Sequence, residues 1–379
     1  KLGFLHRVIE QLHRRRNKVT YQVFTDVEPD PDITTVEKGT EIMKSFEPDT
    51  IIALGGGSVM DAAKVMWLYY EQPSVDFRDL VQKFMDIRKR AFRFPELGKI
   101  AKFVAIPTTS GTGSEVTPFA VISDKKHNRK YPIADYSLTP TVAIADPAFV
   151  DTVPAEVTAD TGMDVLTHAV EAFTSTMAND YTDGLALQAI KMTFQYLEES
   201  VKTADPVARE KMHNASTIAG MAFANAFLGM SHSMAHKVGA FFHTVHGRTN
   251  AIILPYVVRY NGTRPAKTST WPKYDHYKAD KKFQEIAQAL GLPASTPEEG
   301  VASFATAVYE LGEKVGIQMN LKAQGIDKDE YLAKVDEIAY LAYEDQCSPA
   351  NPRLPLVDDM KEILIDAYEG YKAQPGRIK

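Results

Sequence analysis

The 379 residues include one cysteine, Cys347. An intramolecular disulfide is therefore excluded, and a lone thiol suits a reducing compartment. Long apolar runs are also missing. The best stretch, Ala251 to Val258, is short and interrupted by Pro255, so no membrane span is expected. The first sixteen residues carry charge throughout and offer neither the apolar core nor the small-residue cleavage site of a signal peptide. The expected location is cytoplasmic. A basic excess is lacking too: the net charge of −6 leaves no global positive field for a phosphate backbone, although Arg14, Arg15 and Arg16 cluster locally. Nucleic acid is not an expected partner. There is no internal repeat and no low-complexity linker. The balance of 44% hydrophobic and 24% charged residues is that of a globular protein with room for two domains.

Residues 1–150 alternate helical periods with short β-rich runs. The pattern predicts helices at Leu5 to Arg14, Thr34 to Phe46 and Val59 to Tyr70, and strands at Thr20 to Phe24, Thr50 to Leu54 and Phe103 to Ile106. Such alternation points to an α/β domain with a parallel sheet. Between Phe77 and Phe94, Arg88, Lys89, Arg90 and Arg93 read as a solvated helix face. Residues 151–379 instead show apolar residues at three-and-four spacing over Ala159 to Thr176, Gly184 to Tyr196, Ala208 to Ala226, Val301 to Val315 and Lys328 to Ala342. The second domain is therefore expected to be all-helical. Prolines at Pro140, Pro147 and Pro154 mark the crossover, with the boundary placed at 150.

A strand running into Gly55-Gly56-Gly57-Ser58 and then a helix is a recipe for a phosphate site. Glycines let the backbone approach closely, and free N–H groups at a helix start favour negative charge. Asp61 falls in that first turn. The segment does not match G-x-G-x-x-G and lacks a P-loop lysine, and a tight turn that needs glycine for conformation alone explains it as well. A second strand-end loop strengthens the ligand reading. There Thr108, Thr109 and Thr112 can donate to a pyrophosphate or carboxamide while Gly111 and Gly113 keep the backbone close. Open α/β sheets bind ligands at the carboxyl ends of their strands, where both loops fall.

Six of the ten histidines lie between His168 and His246. Asp164 and His168 are four apart on a helical segment and leave the same face, a pair common enough on helix surfaces. His232, His236, His243 and His246 follow within fifteen residues, too dense for ordinary core histidines. Fourteen residues of straight helix would hold His232 and His246 about 21 Å apart, so both can meet one ion only if the helix breaks. Gly239, Thr244, Val245 and Gly247 place that break near residues 243–247. A set of imidazoles and carboxylate suits Zn²⁺ or Fe²⁺, and spacing leaves open which four candidates bind. His213 has no partner at useful spacing and reads as structural or exposed.

In order along nearly the whole chain stand Gly55-Gly56-Gly57-Ser58-x-x-Asp61, Pro107-Thr108-Thr109-x-Gly111-Thr112-x-x-Glu115, Gly162-x-Asp164-x-x-x-His168-x-x-Glu171, His232-x-x-x-His236 and His246-Gly247. Together they resemble the iron-dependent alcohol dehydrogenase family. Met85-Asp86-Ile87-Arg88-Lys89-Arg90, the run Gly111 to Ala120 and the run Asp345 to Arg353 look like the alcohol dehydrogenase half of bifunctional aldehyde-alcohol dehydrogenases. The resemblance implies a dehydroquinate synthase-like fold, an NAD(H)-binding α/β domain and a helical metal-binding domain. It implies that Asp164, His168, His232 and His246 hold Fe²⁺, with Zn²⁺ as the alternative, and that His236 lies close by. It also implies Gly56, Gly57 and Ser58 on the pyrophosphate, Thr108, Thr109 and Thr112 nearby, and Lys130 reaching the ribose. Some relatives carry Asp at the position of Thr25 to exclude a 2′-phosphate. Here the neighbouring Asp26 and Glu28 favour NAD without excluding NADP.

The expected reaction is reduction of a small aldehyde such as acetaldehyde to its alcohol by NADH, reversibly, with His236 relaying a proton or else orienting a ligand. Phe119 and Phe223 match pocket-lining positions of relatives and would favour a small apolar substrate, though either suits plain core. A homo-oligomer, fused in the full-length protein to an aldehyde dehydrogenase domain, is the expected assembly. The chain opens on Lys1 inside what relatives have as the first helix, so their opening strand is expected to precede it. The rival readings are a Zn²⁺ enzyme of the glycerol dehydrogenase kind, a dehydroquinate synthase, a metal store or sensor, and an assembly module.

Overall fold

The computed structural model describes residues 3–75, 94–124, 126, 129–265 and 277–371. The chain divides into two compact units, one of residues 1–109 and 113–153, the other of residues 110–112 and 154–379.

The first unit is built on a central helix. Strand β1 (Thr50–Gly55) runs into α3 (Gly57–Glu71), and β2 (Lys102–Pro107) returns parallel to β1 with Thr50 opposite Lys102 and Gly55 opposite Pro107. The short β5 (Val142–Ala143) completes a three-stranded parallel sheet in the order β1-β2-β5. Helix α3 is apolar nearly all round because both its faces are covered. Met60, Ala63 and Trp67 pack on the sheet with Ile51, Ala53, Phe103 and Ala105. Ala62, Val65, Met66 and Leu68 pack instead against Ala120, Ile122 and Ile133. Those three belong to an antiparallel pair, β3 (Phe119–Asp124) with β4 (Arg129–Ala134). Helices α1 (Phe4–His13) and α2 (Ile33–Phe46) complete the unit, and Gly39 of α2 lies so close to Met66 that a Cβ would meet its sulfur at 2.4 Å.

Two features depart from the expected pattern. Thr20 to Phe24 forms no strand: among the described residues it has no ladder partner, and Tyr21 and Val23 are exposed. Its alternation supplied a surface suited to a sheet but no neighbouring strand to bond. The β3–β4 pair carries no Gly-type hairpin signal, and Pro132 sits within β4 opposite Val121. Proline is tolerated because β4 pairs on one side only among the described residues. The basic stretch around Arg88, Lys89, Arg90 and Arg93, with the motif Met85 to Arg90, lies outside the described residues.

The buried Lys64 ties this unit together. Its ammonium donates to the carbonyls of Thr117 and Phe119 at 2.8 Å each and to Ser114 Oγ at 3.0 Å. Burial pulls its pKa down to about 8, against the raising effect of Asp61 and Glu115.

The second unit is helical. It runs α4 (Ala155–Thr174), α5 (Asp180–Lys202), α6 (Pro206–Ala226), α7 (Met230–Phe242), α8 (His246–Gly262), α9 (Ala279–Ala289), α10 (Pro297–Lys314), α11 (Lys328–Tyr343) and α12 (Val357–Glu369). Helix α4 is the pillar, buried without interruption from Gly162 to Thr174. Gly162 lets α5 approach, since a Cβ there would lie 2.1 Å from Leu197 Cδ1. Pro255 sits inside α8. No helix among the described residues is long and apolar enough to cross a membrane.

Lys64→Met leaves two carbonyls and Asp61 without their cation. It is expected to cost about 3 kcal/mol by the usual penalty for breaking a buried polar network, read as a lower chemical-denaturation midpoint.

Candidate functional site

The α/β unit brings its two glycine- and threonine-rich loops to one edge of the sheet. Parallel pairing puts Gly55 beside Pro107, and the Thr108 N–H donates to the Gly55 carbonyl at 3.0 Å. Gly55 needs to be glycine for packing, because a Cβ would lie 2.6 Å from Val59. Gly56 does not: a Cβ would meet only Thr109, at 3.4 Å. Space is thus open beside Gly56, at the mouth of a helix whose first turn has no side-chain cap. Gly57 and Ser58 open that helix, so their N–H groups belong to the turn that favours an anion. Asp61 points into the protein, accepting from Ser114 Oγ at 2.8 Å and the Val121 N–H at 3.0 Å. Burial raises its pKa against the effect of Lys64. Asp61 therefore braces the turn on its inner side.

Other predicted cofactor residues fall elsewhere. Thr112 belongs to the helical unit. Lys130 pairs with Ser123 in β4, but its side chain lies outside the described residues. Glu28 is engaged in starting α2, accepting from the Asp32 N–H at 3.1 Å and Thr35 Oγ1 at 2.8 Å. Asp26, which accepts from Thr25 Oγ1 at 3.2 Å, is left as the acid near that position. Phe119 opens β3, and its carbonyl accepts from Lys64.

In the helical unit four of the predicted residues converge. Asp164 and His168 leave one face of α4, His232 comes from α7, and His246 is the first residue of α8. The expected break between His232 and His246 is present: α7 ends at Phe242, and His243 turns the chain with φ +53°. Nε2 of His168, His232 and His246 lies 3.9, 3.8 and 3.6 Å from the nearer Asp164 carboxylate oxygen. Asp164, His168 and His232 form a buried group able to hold a metal ion. His246 flanks it with a side chain 43% exposed.

The donor chemistry fits a cation. Glu171, one turn beyond His168, accepts from His232 Nδ1–H at 2.6 Å and from the Ser231 N–H at 2.6 Å. That bond fixes the tautomer and leaves the His232 Nε2 lone pair facing Asp164. Nε2 of His232 and Nδ1 of His168 are buried and have no hydrogen-bond partner among the described residues. Burial pushes the Glu171 carboxyl up to about 7 and the His232 imidazole well below its usual value. Burial also opposes ionisation of Asp164, but His168, His246 and His232 outweigh it and hold its pKa below the ordinary carboxylate value. A neutral imidazole beside an ionised carboxylate is what a divalent ion requires.

His236 stands against this group, its ring stacked on His246 at 5.4 Å between centroids. Its Nδ1–H donates to Asp345 Oδ2 at 3.2 Å, and Lys237 Nζ reaches the same oxygen at 2.7 Å. Burial would raise Asp345, but His236 and Lys237 hold it well below the usual carboxylate range. Cys347 lies beside Asp345, its thiol pushed up by burial. Phe223 stacks on the His168 ring at 4.4 Å. His213 is structural, its Nδ1 3.0 Å from Ser110 Oγ. Glu171, Asn250 and Asp345 carried no assigned role in the sequence. Asn250 donates to Asp164 Oδ1 at 2.9 Å and lies 3.2 Å from His246 Nε2, and its spacing of four from His246 was the available signal.

A glycine turn at strand ends and an imidazole–carboxylate centre among helices are the parts of a metal-dependent dehydrogenase. The chain belongs to the iron-containing alcohol dehydrogenase family: "Iron-containing alcohol dehydrogenase" matches residues 1–147, and "Fe-containing alcohol dehydrogenase family, C-terminal" matches residues 158–368. It is 78% identical over 379 residues to an aldehyde-alcohol dehydrogenase of Streptococcus pneumoniae, covering all of this chain and 43% of that protein. It thus spans less than half the length of that relative. An NADPH-dependent butanol dehydrogenase of Clostridium saccharobutylicum is 45% identical, with 98% of this chain and 89% of that one aligned. The structure of an iron-containing alcohol dehydrogenase from Thermococcus thioreducens superposes with a TM-score of 0.85 at 32% identity, over 97% of this chain and 90% of that one. The fold is accordingly the α/β, dehydroquinate synthase-like fold expected from the resemblance. Membership makes the chain an alcohol oxidoreductase and implies iron and a nucleotide cofactor.

Glu171→Gln keeps the shape but removes the carboxylate that orients His232. Metal affinity is expected to fall about 10- to 100-fold, the usual cost of losing such an outer partner, as measured by chelator competition.

Proposed function

We propose that this chain reduces acetaldehyde and similar small aldehydes to their alcohols with NADH, reversibly. The observation that carries the reading is the buried Asp164–His168–His232 group, with orphaned imidazole nitrogens and His246 beside it. In this reading those four side chains hold the ion, Fe²⁺ before Zn²⁺. Gly55, Gly56, Gly57, Ser58, Thr108 and Thr109 receive the nucleotide, Thr112 and Lys130 add contacts to it, and Asp61 positions the turn. When bound, the ion supplies Lewis-acid stabilisation of negative charge on oxygen and the nicotinamide carries the hydride.

The chain's own residues supply the rest. Asp164 is ionised and His232 neutral, so the centre is ready for a cation at physiological pH. Asp345 accepts a hydrogen bond from His236 Nδ1–H, which leaves Nε2 as the nitrogen that takes up a proton and passes it between the alcohol oxygen and solvent. His236 is one-third exposed, as such a relay requires. Phe223 walls the His168 side with an apolar face, which favours a short alkyl group over a polyol, and Phe119 is kept as a substrate-pocket residue on the family resemblance alone.

The full-length protein, by analogy with the pneumococcal aldehyde-alcohol dehydrogenase, joins this part to an aldehyde dehydrogenase domain. A cytoplasmic homo-oligomer belongs to the same proposal. NADPH is the second cofactor reading, supported by the clostridial butanol dehydrogenase and by the engagement of Glu28 in the start of α2.

The test is NADH and NADPH oxidation with acetaldehyde after chelation, comparing anaerobic Fe²⁺ with Zn²⁺ at matched occupancy in folded protein. Turnover restored by Fe²⁺ with NADH is expected. Folded, loaded protein that turns over no small aldehyde with either nucleotide refutes the reading. Gly56→Ala adds a methyl that the fold accommodates, so NADH affinity is expected to drop about tenfold, or ~1.4 kcal/mol, while metal content stays unchanged. Unaltered NADH affinity in a titration removes the cradle.

A further inference from the structure

We propose that Arg248 is a positioning residue for the metal centre: by clamping Asp160 it fixes where His246 stands and thereby sets how tightly the ion is held. The inference rests on the ligand assignment above. Helix α4 presents Glu156, Asp160, Asp164 and His168 at successive four-residue steps, hence along one face. Helix α8 starts against that face with His246, Gly247, Arg248 and Asn250. Two sets of bonds register one helix on the other. Asn250 donates to Asp164 Oδ1. Arg248 grips Asp160 with both arms, Nε to Oδ1 and Nη2 to Oδ2 at 2.9 Å each, while Nη2 also reaches Glu156 Oε1 at 2.6 Å. Between them Gly247 lies on the backbone of α4, where a Cβ would stand 2.2 Å from the Asp160 carbonyl oxygen.

His246 is the ligand that needs such a device. Asp164 and His168 are fixed within a buried helix, and His232 is locked by Glu171. His246 follows a turn, opens its helix and is nearly half exposed, so its place depends on where α8 begins. Arg248 stands two residues on and half a turn around, and its partner Asp160 lies one turn before Asp164. A forked guanidinium on a carboxylate that is 7% exposed is both directional and strong, unlike an ordinary surface ion pair. The clamp borders a cavity of about 370 Å³ lined also by Val315, Ile317 and Gln324, so an apolar replacement of Arg248 meets no overpacking.

The experiment is competition for Zn²⁺ alone between a chromophoric chelator and the full chain, with folding checked by circular dichroism. Arg248→Met and Asp160→Asn are each expected to weaken Zn²⁺ binding about tenfold or more, in the range typical of outer partners of metal ligands. The double variant is expected to be no worse than the weaker-binding single, because the pair acts as one unit. Arg248→Lys, which keeps the charge but loses the fork, recovers only part of the loss and serves if the methionine variant fails to fold. Lys282→Met breaks the ion pair to Asp183 elsewhere in the same unit and is expected to leave Zn²⁺ binding unchanged. Parental affinity in the Arg248 and Asp160 variants overturns the proposal, as does an equal loss in Lys282→Met. Asp164→Asn separates the two levels: if it weakens binding while Arg248→Met does not, the clamp alone falls. If Asp164→Asn binds Zn²⁺ like the parent, the ligand assignment falls and takes the clamp with it.

Discussion

An ionised carboxylate buried as deeply as Asp164 costs several kcal/mol unless its oxygens are satisfied. Here Asn250 donates to one oxygen, and three imidazole nitrogens stand within 4 Å of the pair. The helical unit is arranged around that requirement. Helix α4 is buried so that Asp164 and His168 are held rigidly, Gly162 and Gly247 let neighbouring helices come close, and the chain turns at His243 so that α8 can deliver His246 and Asn250. Stacking of Phe223 on His168 and of His236 on His246 completes the ring of aromatic faces.

Two of the imidazoles are held by a carboxylate placed one step out, Glu171 for His232 and Asp345 for His236, and in the proposed clamp Asp160 acts through Arg248 on His246. The pattern divides the work between groups that can face the ion and groups that hold them still. It also explains how Asp160, Glu171 and Asp345 can be buried near Asp164, since a lone buried acid would be destabilising but one that accepts two hydrogen bonds is not.

The α/β unit solves a parallel problem with a buried cation, Lys64, and the neighbouring acid Asp61. Parallel register sets Gly55 beside Pro107, which puts two loops at one sheet edge. Lys64 then links α3 to Ser114, Thr117 and Phe119, and Asp61 links it to Ser114 and Val121. The turn that opens α3 is thereby braced from within while the space next to Gly56 stays open.

Local pattern by itself determined most of the helices, though not Ala279–Ala289 or Val357–Glu369, together with the βαβ core and the order of the motifs, because amphipathic period, strand-end glycine and i,i+4 spacing are properties of neighbouring residues. Asp164 with His168, and the need for a break before His246, were legible for that reason. Thr20 to Phe24 was misread, and the β3–β4 pair was missed, because a strand exists only with a partner and the partner is not encoded in the run itself. Glu171 stood in plain view in the sequence, yet its bond to His232 spans 61 residues, and that of Arg248 to Asp160 spans 88. Tertiary packing decided those contacts, since only the crossing of α4 with α7 and α8 turns distant acids into the supports of one site.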